Sequence, residues 1–188
     1  VGLRVIEESS QDAAVQAQAR ELRRVGSAAH DDVRRLARGL RPAILDDVGL
    51  VPALDRLLQE FGSSHQLEAT LDSKCQDQPR LPEDVETSVF RIVQEAANNA
   101  IRHGNAKHLR VRLRRESKYL HVDIEDDGCG FNVASSLKTN RKNSPFGLLS
   151  IHERACLLGG EAMISSKLGG GTHIQVHVQL APAEEIHG

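Results

Sequence analysis

A chain of 188 residues with 39% apolar content can bury one core of ordinary domain size beside a smaller element, and it reads as soluble and globular. A net charge of −2 leaves no general electrostatic reason for a nucleic-acid or anionic-membrane partner, and no apolar run approaches the roughly 18 residues of a membrane span. Cys75, Cys129 and Cys156, odd in number and without CxxC spacing, argue against a disulfide framework or a zinc site and suit a reducing, cytoplasmic compartment. No secretory signal opens the chain, which starts on Val1 and has Met163 as its only methionine. It is therefore expected to be a piece of a longer protein, with any sensor or membrane anchor in parts of the parent outside it.

In chain order, Val1 to Glu8 reads as the end of a helix, and Ser9, Ser10, Gln11 and Asp12 make a turn with N-cap chemistry. The helix that follows, to about Leu40, carries Leu22, Val25, Ala29, Leu36 and Leu40 at three-, four- and seven-residue spacings. One helix cannot bury such a narrow apolar seam alone, so homodimerisation through this segment is expected. Pro42 ends the helix. Residues 43–49 read as a linker, residues 50–182 as the main domain and residues 183–188 as a tail. The domain opens with a helix from about Leu50 to Phe61. Gly62 to His65 is a turn, Leu67 to Leu71 alternates as a first strand, and the polar run Ser73 to Pro82 is a loop.

Val85 to His103, VETSVFRIVQEAANNAIRH, reads as one long helix whose buried face is Val85, Val89, Ile92, Val93, Ala96 and Ala100. At roughly 100° per residue, Asn99 falls about 20° from Ile92, with His103 on the same side and Glu95 bordering them. Unpaired polar groups on a buried face cost about 1–3 kcal/mol each. These three either satisfy one another in the core or face a ligand. Glu95 and Asn99 at i, i+4, followed downstream by two glycine boxes, favour the ligand.

After Gly104 two strands alternate, Leu109, Val111 and Leu113 against Arg110, Arg112 and Arg114, then Leu120, Val122 and Ile124 against His121, Asp123 and Glu125. Glu116 to Lys118 turns between them. No aromatic residues interleave with the arginines, so they read as a solvated sheet face rather than a nucleic-acid patch. The second strand runs into EDDGCGF, and the Ser-, Lys- and Asn-rich stretch Asn132 to Ser144 reads as a mobile loop. Phe146 and Gly147 open a helix with the stripe Leu148, Ile151, Ala155 and Leu158, stopped by Gly159 and Gly160. Two last strands, Ala162 to Lys167 and Thr172 to Leu180, are joined by LGGG. His173 and His177 then point outward, opposite Ile174, Val176 and Val178, and read as exposed strand residues rather than metal ligands.

Four features converge on chemistry: Glu95 with Asn99, the Asp126, Gly128, Gly130 turn, the Gly147 helix start, and Gly169 to Thr172. An acidic group at a strand end beside two glycines lets backbone approach a flat heterocycle while the carboxylate accepts from an exocyclic amine, which suits adenine. A helix N-terminus offers free N–H groups and a positive dipole end to phosphate oxygens. The neutral oxygen of an Asn suits Mg²⁺, which keeps several waters and bridges phosphates. Glu95, one turn earlier, would hold a metal-bound water or polarise the acceptor.

These residues resemble the catalytic and ATP-binding region of a sensor histidine kinase, within the Bergerat-fold (GHKL) ATPases shared with gyrase and mismatch-repair proteins. QEAANNAIRH resembles the N box, DDGCGF the first glycine box, FGLLSIHERACLLGG the second and GGGT the last motif. The second box departs from the common GxGL pattern, reading Pro145, Phe146, Gly147, Leu148. LRPAILDDVGL is similar to the stretch preceding the ATPase domain in the subfamily paired with LuxR-type response regulators. The resemblance implies that Asp126 binds the adenine amine, with Thr172 assisting through water, that Asn99 ligates Mg²⁺, and that Glu95 is the N-box acid. His103 would be a neighbouring phosphate-side contact, and Arg102 would reach a phosphate or simply solvate the helix. Gly128, Gly130 and Gly147 would allow close backbone approach, and Leu148 and Gly171 complete the nucleotide-binding set. Asp127 stands one residue too late for the adenine ligand.

His30, followed by Asp31 and Asp32, is not read as the phosphoacceptor. About ten residues separate it from Leu40, Arg41 and Pro42, too few for the second helix of a hairpin. The family layout puts the acceptor upstream of Val1, making residues 1–42 a truncated dimerisation and phosphotransfer hairpin. The expected fold is an α/β (α+β) two-layer sandwich, a mixed sheet of about five strands with helices on one face, preceded by that partial hairpin. The expected function is transfer of the ATP γ-phosphoryl group to a histidine outside this chain and thence to a response regulator receiver domain, so the chain alone would not autophosphorylate. An anti-sigma-factor-type serine kinase and a non-catalytic nucleotide-binding interaction module are the alternatives.

Overall fold

Alternation along the strands sorts them into one sheet with two unlike faces. The computed structural model describes residues 15–16, 41–75, 79–133 and 146–180. The expectations for the Leu22 to Leu40 seam, for His30, for most of the Asn132 to Ser144 stretch and for residues 183–188 lie outside the described residues. The chain divides into two compact units, Val1–Arg41 and Pro42–Gly188, and the elements below belong to the second.

Five strands, β1 (Glu68–Ser73), β2 (His108–Glu116), β3 (Tyr119–Asp126), β4 (Glu161–Ser166) and β5 (Thr172–Gln179), form one sheet in the order β1-β2-β3-β5-β4. β1 runs parallel to β2, and every other neighbouring pair is antiparallel. Leu109, Val111 and Leu113, then Leu120, Val122 and Ile124, then Ile174, Val176 and Val178 supply the buried face. Because the side-chain period is two, a one-residue slip would turn all of them to water, so this burial pins the register. On the other face Arg112 donates to Glu125 at 2.8 Å, Arg114 bonds Asp72, and His173 lies 3.1 Å from Asp123.

Helices α1 (Ala43–Val48), α2 (Leu50–His65), α3 (Glu83–Asn99) and α4 (Phe146–Leu157) complete the second layer. Leu54 and Leu58 of α2, Ile92 and Val93 of α3, and Ile151 and Ala155 of α4 belong to the same core as the strand residues. Complete burial of a side chain of this size is worth about 1.5–3 kcal/mol relative to exposure, so these stripes hold helix to sheet.

Three segments differ from the sequence expectation, the first being Gly62 to His65, expected as a turn but forming the last turn of helix α2. The stretch 43–49, expected as a linker, is helical over Ala43–Val48 and inserts Leu45 into the core at 0% exposure. Arg80 secures it: its guanidinium bonds the Leu45 and Asp46 carbonyls while Nε donates to Oε1 of Glu86 at 3.1 Å. The long helix also does not stay α-helical to His103. It ends at Asn99 and passes into a π-helical turn, Ala100–Gly104, closed by Asn105 in the left-handed region. The wider turn breaks the 100° step, so His103 is exposed rather than aligned with Ile92.

Candidate functional site

The site is built where α3 ends, β3 ends and α4 begins. Glu95 and Asn99 lie one turn apart on α3, both half-buried. A Cβ on Gly147, in the first turn of α4, would overlap Oε1 of Glu95 and stand 2.7 Å from Nδ2 of Asn99. A side chain there would push the Glu95 carboxylate away from that turn. Nδ2 of Asn99 is buried and has no hydrogen-bond partner among the described residues. A buried amide nitrogen left so costs about 1–3 kcal/mol.

Asp126, the last residue of β3, faces Leu109 of β2 and Thr172 of β5 in the register. Its Oδ1 accepts the Gly128 N–H at 2.9 Å. Burial raises its pKa above the ordinary carboxylate value, against hydrogen bonds from Gly128 and from the backbone and side chain of Thr172. Gly128 is buried, and a Cβ there would meet the Gly104 carbonyl oxygen at 2.7 Å. Gly130 and Gly171 adopt φ of +59° and +70°, and side chains on them would overlap the carbonyls of Lys167 and Asp126 respectively. Close approach of backbone to backbone is therefore what this corner requires of its glycines.

Asp127 has a different task. Its Oδ1 accepts the N–H groups of Lys107 and His108, both at 2.8 Å, and Oδ2 lies 2.6 Å from Nδ1 of His108. The His108 bond is the chief reason its pKa falls to about 2. It fastens the start of β2.

The eleven candidate site residues are all among those described, and eight of them form two clusters. Asp126, Gly128, Gly130, Gly171 and Thr172 make one, and Glu95, Asn99 and Gly147 the other. Leu148 is buried in the stripe behind Gly147, while Arg102 and His103 stand exposed on the π-helical turn. Gly104, not singled out from sequence, joins the clusters. A Cβ there would lie 3.6 Å from Cα of Gly128, 3.7 Å from Oδ1 of Asp126 and 3.8 Å from the Asn99 carbonyl oxygen. Its carbonyl accepts the Cys129 N–H at 2.7 Å, and the Cys129 thiol donates to the His103 carbonyl at 3.2 Å. The signal available was its place where the helical pattern stops.

The five-stranded mixed sheet under one layer of helices is the fold of an ATP-binding catalytic domain of the histidine kinase type. The chain belongs to the histidine kinase-, DNA gyrase B-, and HSP90-like ATPase family, whose pattern matches residues 84–182. It is 38% identical over 162 residues to an uncharacterized sensor-like histidine kinase of Chloroflexus aurantiacus, covering 85% of this chain and 27% of that protein. It is 35% identical to the signal transduction histidine-protein kinase/phosphatase DegS of Bacillus subtilis, covering 75% of this chain and 37% of that one. The chain thus spans well under half the length of either relative. Among solved structures, the histidine kinase domain of the Erythrobacter litoralis EL346 blue-light activated histidine kinase superposes with a TM-score of 0.58 at 18% identity, over 95% of this chain and 90% of that one. Acinetobacter baumannii AdeS, also a histidine kinase, gives 0.58 at 16%, over 96% and 92%. At such identities the structural likeness concerns the fold. No helix among the described residues is long and apolar enough to cross a membrane.

Proposed function

We propose that this chain binds ATP and Mg²⁺ and directs the γ-phosphoryl group to a histidine outside it, from which a response regulator receiver domain takes it. The observation that carries the reading is the pairing, in one domain, of a half-buried Asp126 with a Glu95/Asn99 pair closed over by Gly147. Asp126 accepts from the exocyclic amine of adenine, and Thr172 supports it through a water. Gly128, Gly130 and Gly171 let the backbone segments around Asp126 close up on one another, which holds the carboxylate in place for the base, and Leu148 backs the phosphate end. Arg102 and His103, exposed and on the π-helical turn, reach the phosphates.

The donor set fits Mg²⁺. Asn99 has a buried amide nitrogen without a hydrogen-bond partner among the described residues, and half a turn of that amide exchanges nitrogen for oxygen. Bound there, Mg²⁺ would neutralise charge on the phosphate oxygens. Glu95 orients water or the acceptor beside it, and the first turn of α4 offers backbone N–H groups. Phosphoryl transfer demands mostly positioning and charge neutralisation, which these groups supply. Homodimerisation through the N-terminal helix and a cytoplasmic location of this part belong to the same reading, as does pairing with a regulator of LuxR-type output.

The test is transfer in trans. The chain is incubated with γ-labelled ATP, Mg²⁺ and a separately produced helical hairpin carrying an acceptor histidine from the parent or a relative. Acid-labile, base-stable label on the hairpin is expected. Acid-stable label on a serine of an added protein would favour the serine-kinase alternative, and no label anywhere would contradict catalysis.

A further inference from the structure

Ser166, the last residue of β4, shares a strand face with the half-buried Ala162 and Ile164, an odd place for a hydroxyl. Its Oγ donates to the Gly171 carbonyl at 2.7 Å, accepts the Phe131 N–H at 2.9 Å and stands 3.3 Å from Oγ1 of Thr172. One hydroxyl has one proton and two lone pairs, so these three partners use all of it. Phe131 closes the DDGCGF run, and Gly171 and Thr172 close the GGGT turn. In the register Thr172 lies between Ser166 on β4 and Asp126 on β3, forming a row across three strands.

We propose that Ser166 is a positioning residue for nucleobase recognition, its hydroxyl fixing the Gly171 turn and supplying Thr172 with an acceptor other than Asp126. This rests on the nucleotide reading above. The Thr172 hydroxyl has one proton and two candidate acceptors. If it stays on Asp126, the carboxylate has one lone pair fewer for an exocyclic amine. With Ser166 taking that proton, Asp126 keeps a lone pair for the amine beside its bond from Gly128, and the Gly171 carbonyl stays fixed on Ser166. Ser166 itself acts only through Thr172, Gly171 and Phe131.

The test uses the full chain and two variants of one shape, Ser166→Thr and Ser166→Val, which differ by a hydroxyl against a methyl. Calorimetry compares ATP with purine riboside triphosphate, which lacks the exocyclic amine, and thermal unfolding is recorded beside it. The wild type and Ser166→Thr should favour ATP by the same ratio, and Ser166→Val should lower that ratio by about fivefold, as for one hydrogen bond. A merely structural role would weaken both ligands alike and leave the ratio unchanged, which would overturn the proposal. Loss of the ratio in Ser166→Thr as well would do the same. Should the valine variant not fold, Ser166→Ala is read by the same criterion. A wild-type chain that binds no ATP sinks the nucleotide reading and this inference together. Binding abolished by Asp126→Asn but indifferent to Ser166→Val sinks this inference alone.

Discussion

A methyl group on Gly147 would overlap the Glu95 carboxylate, the free end of a flexible side chain, whereas one on Gly130 would overlap the Lys167 backbone carbonyl at φ +59°. The two alanine variants should therefore fail differently. Gly130→Ala must shift backbone in a left-handed conformation and should cost about 1–3 kcal/mol in urea unfolding. Gly147→Ala should change stability by less than about 1 kcal/mol, since Glu95 can swing aside. That displacement should weaken MgATP binding by roughly tenfold, the loss of one charge-assisted contact. Asp126 presents the opposite trade. Its folded pKa lies above the ordinary value because of burial, so the folded state holds its proton longer. Stability therefore falls as pH rises through that raised value, and at pH 7 the ionised carboxylate is a burden on the fold. Asp126→Asn, which can still accept from Gly128, should keep or raise the thermal midpoint at pH 7 while losing nucleotide binding. Equal losses of both would show the site to be structural.

At the scale of elements, α1 belongs to the domain through Leu45, and Leu45→Ala should cost about 2–5 kcal/mol in urea unfolding if the surrounding core cannot collapse. A cost under about 0.5 kcal/mol would mark α1 as a surface segment. The corner where β2 starts depends on pH. His108 is raised by its hydrogen bond to Asp127, and Asp127 is lowered to about 2 chiefly by the same bond. The Asp127 contribution is present above the ordinary 3.8 and is lost as pH falls through about 2. The His108 contribution is present below the ordinary 6.5 and is lost as pH rises through its raised value. His108→Gln should thus lower the thermal midpoint at pH 5.5 and leave it nearly unchanged at pH 9. The strands were legible in sequence because Leu109, Val111 and Leu113 against three arginines admit only a period of two. Helix α1 was not, since six residues after Pro42 are too few to display a period, and burial of Leu45 depends on Arg80, 35 residues away. The π-helical turn was equally hidden. AIRHG fits an α-helix as well, and its closure comes from Asn105 and from Cys129 bonding the Gly104 and His103 carbonyls.

For the molecule as a whole, the five-stranded mixed sheet under one helical layer follows from the order of alternating and helical segments, and the family match across residues 84–182 agrees with it. Asp126, Asn99 and the glycines could be named from sequence because their chemistry clashes with their local pattern: an acid at a strand end, an amide on an apolar stripe. Ser166 could not, because its contacts join segments distant in the chain and nothing local sets it apart; for Gly104 the one local sign is its place where the helical pattern stops. The central claim is that the Asp126 corner and the Glu95/Asn99 pair form one nucleotide site. Calorimetric titration of the full chain with ATP, with and without Mg²⁺, beside Asp126→Asn and Asn99→Ala, tests it most directly. Saturable binding abolished by Asp126→Asn, with its Mg²⁺ enhancement lost in Asn99→Ala, is the predicted result. A folded wild-type chain that binds no ATP, or binds it equally well without Asp126, would contradict the account.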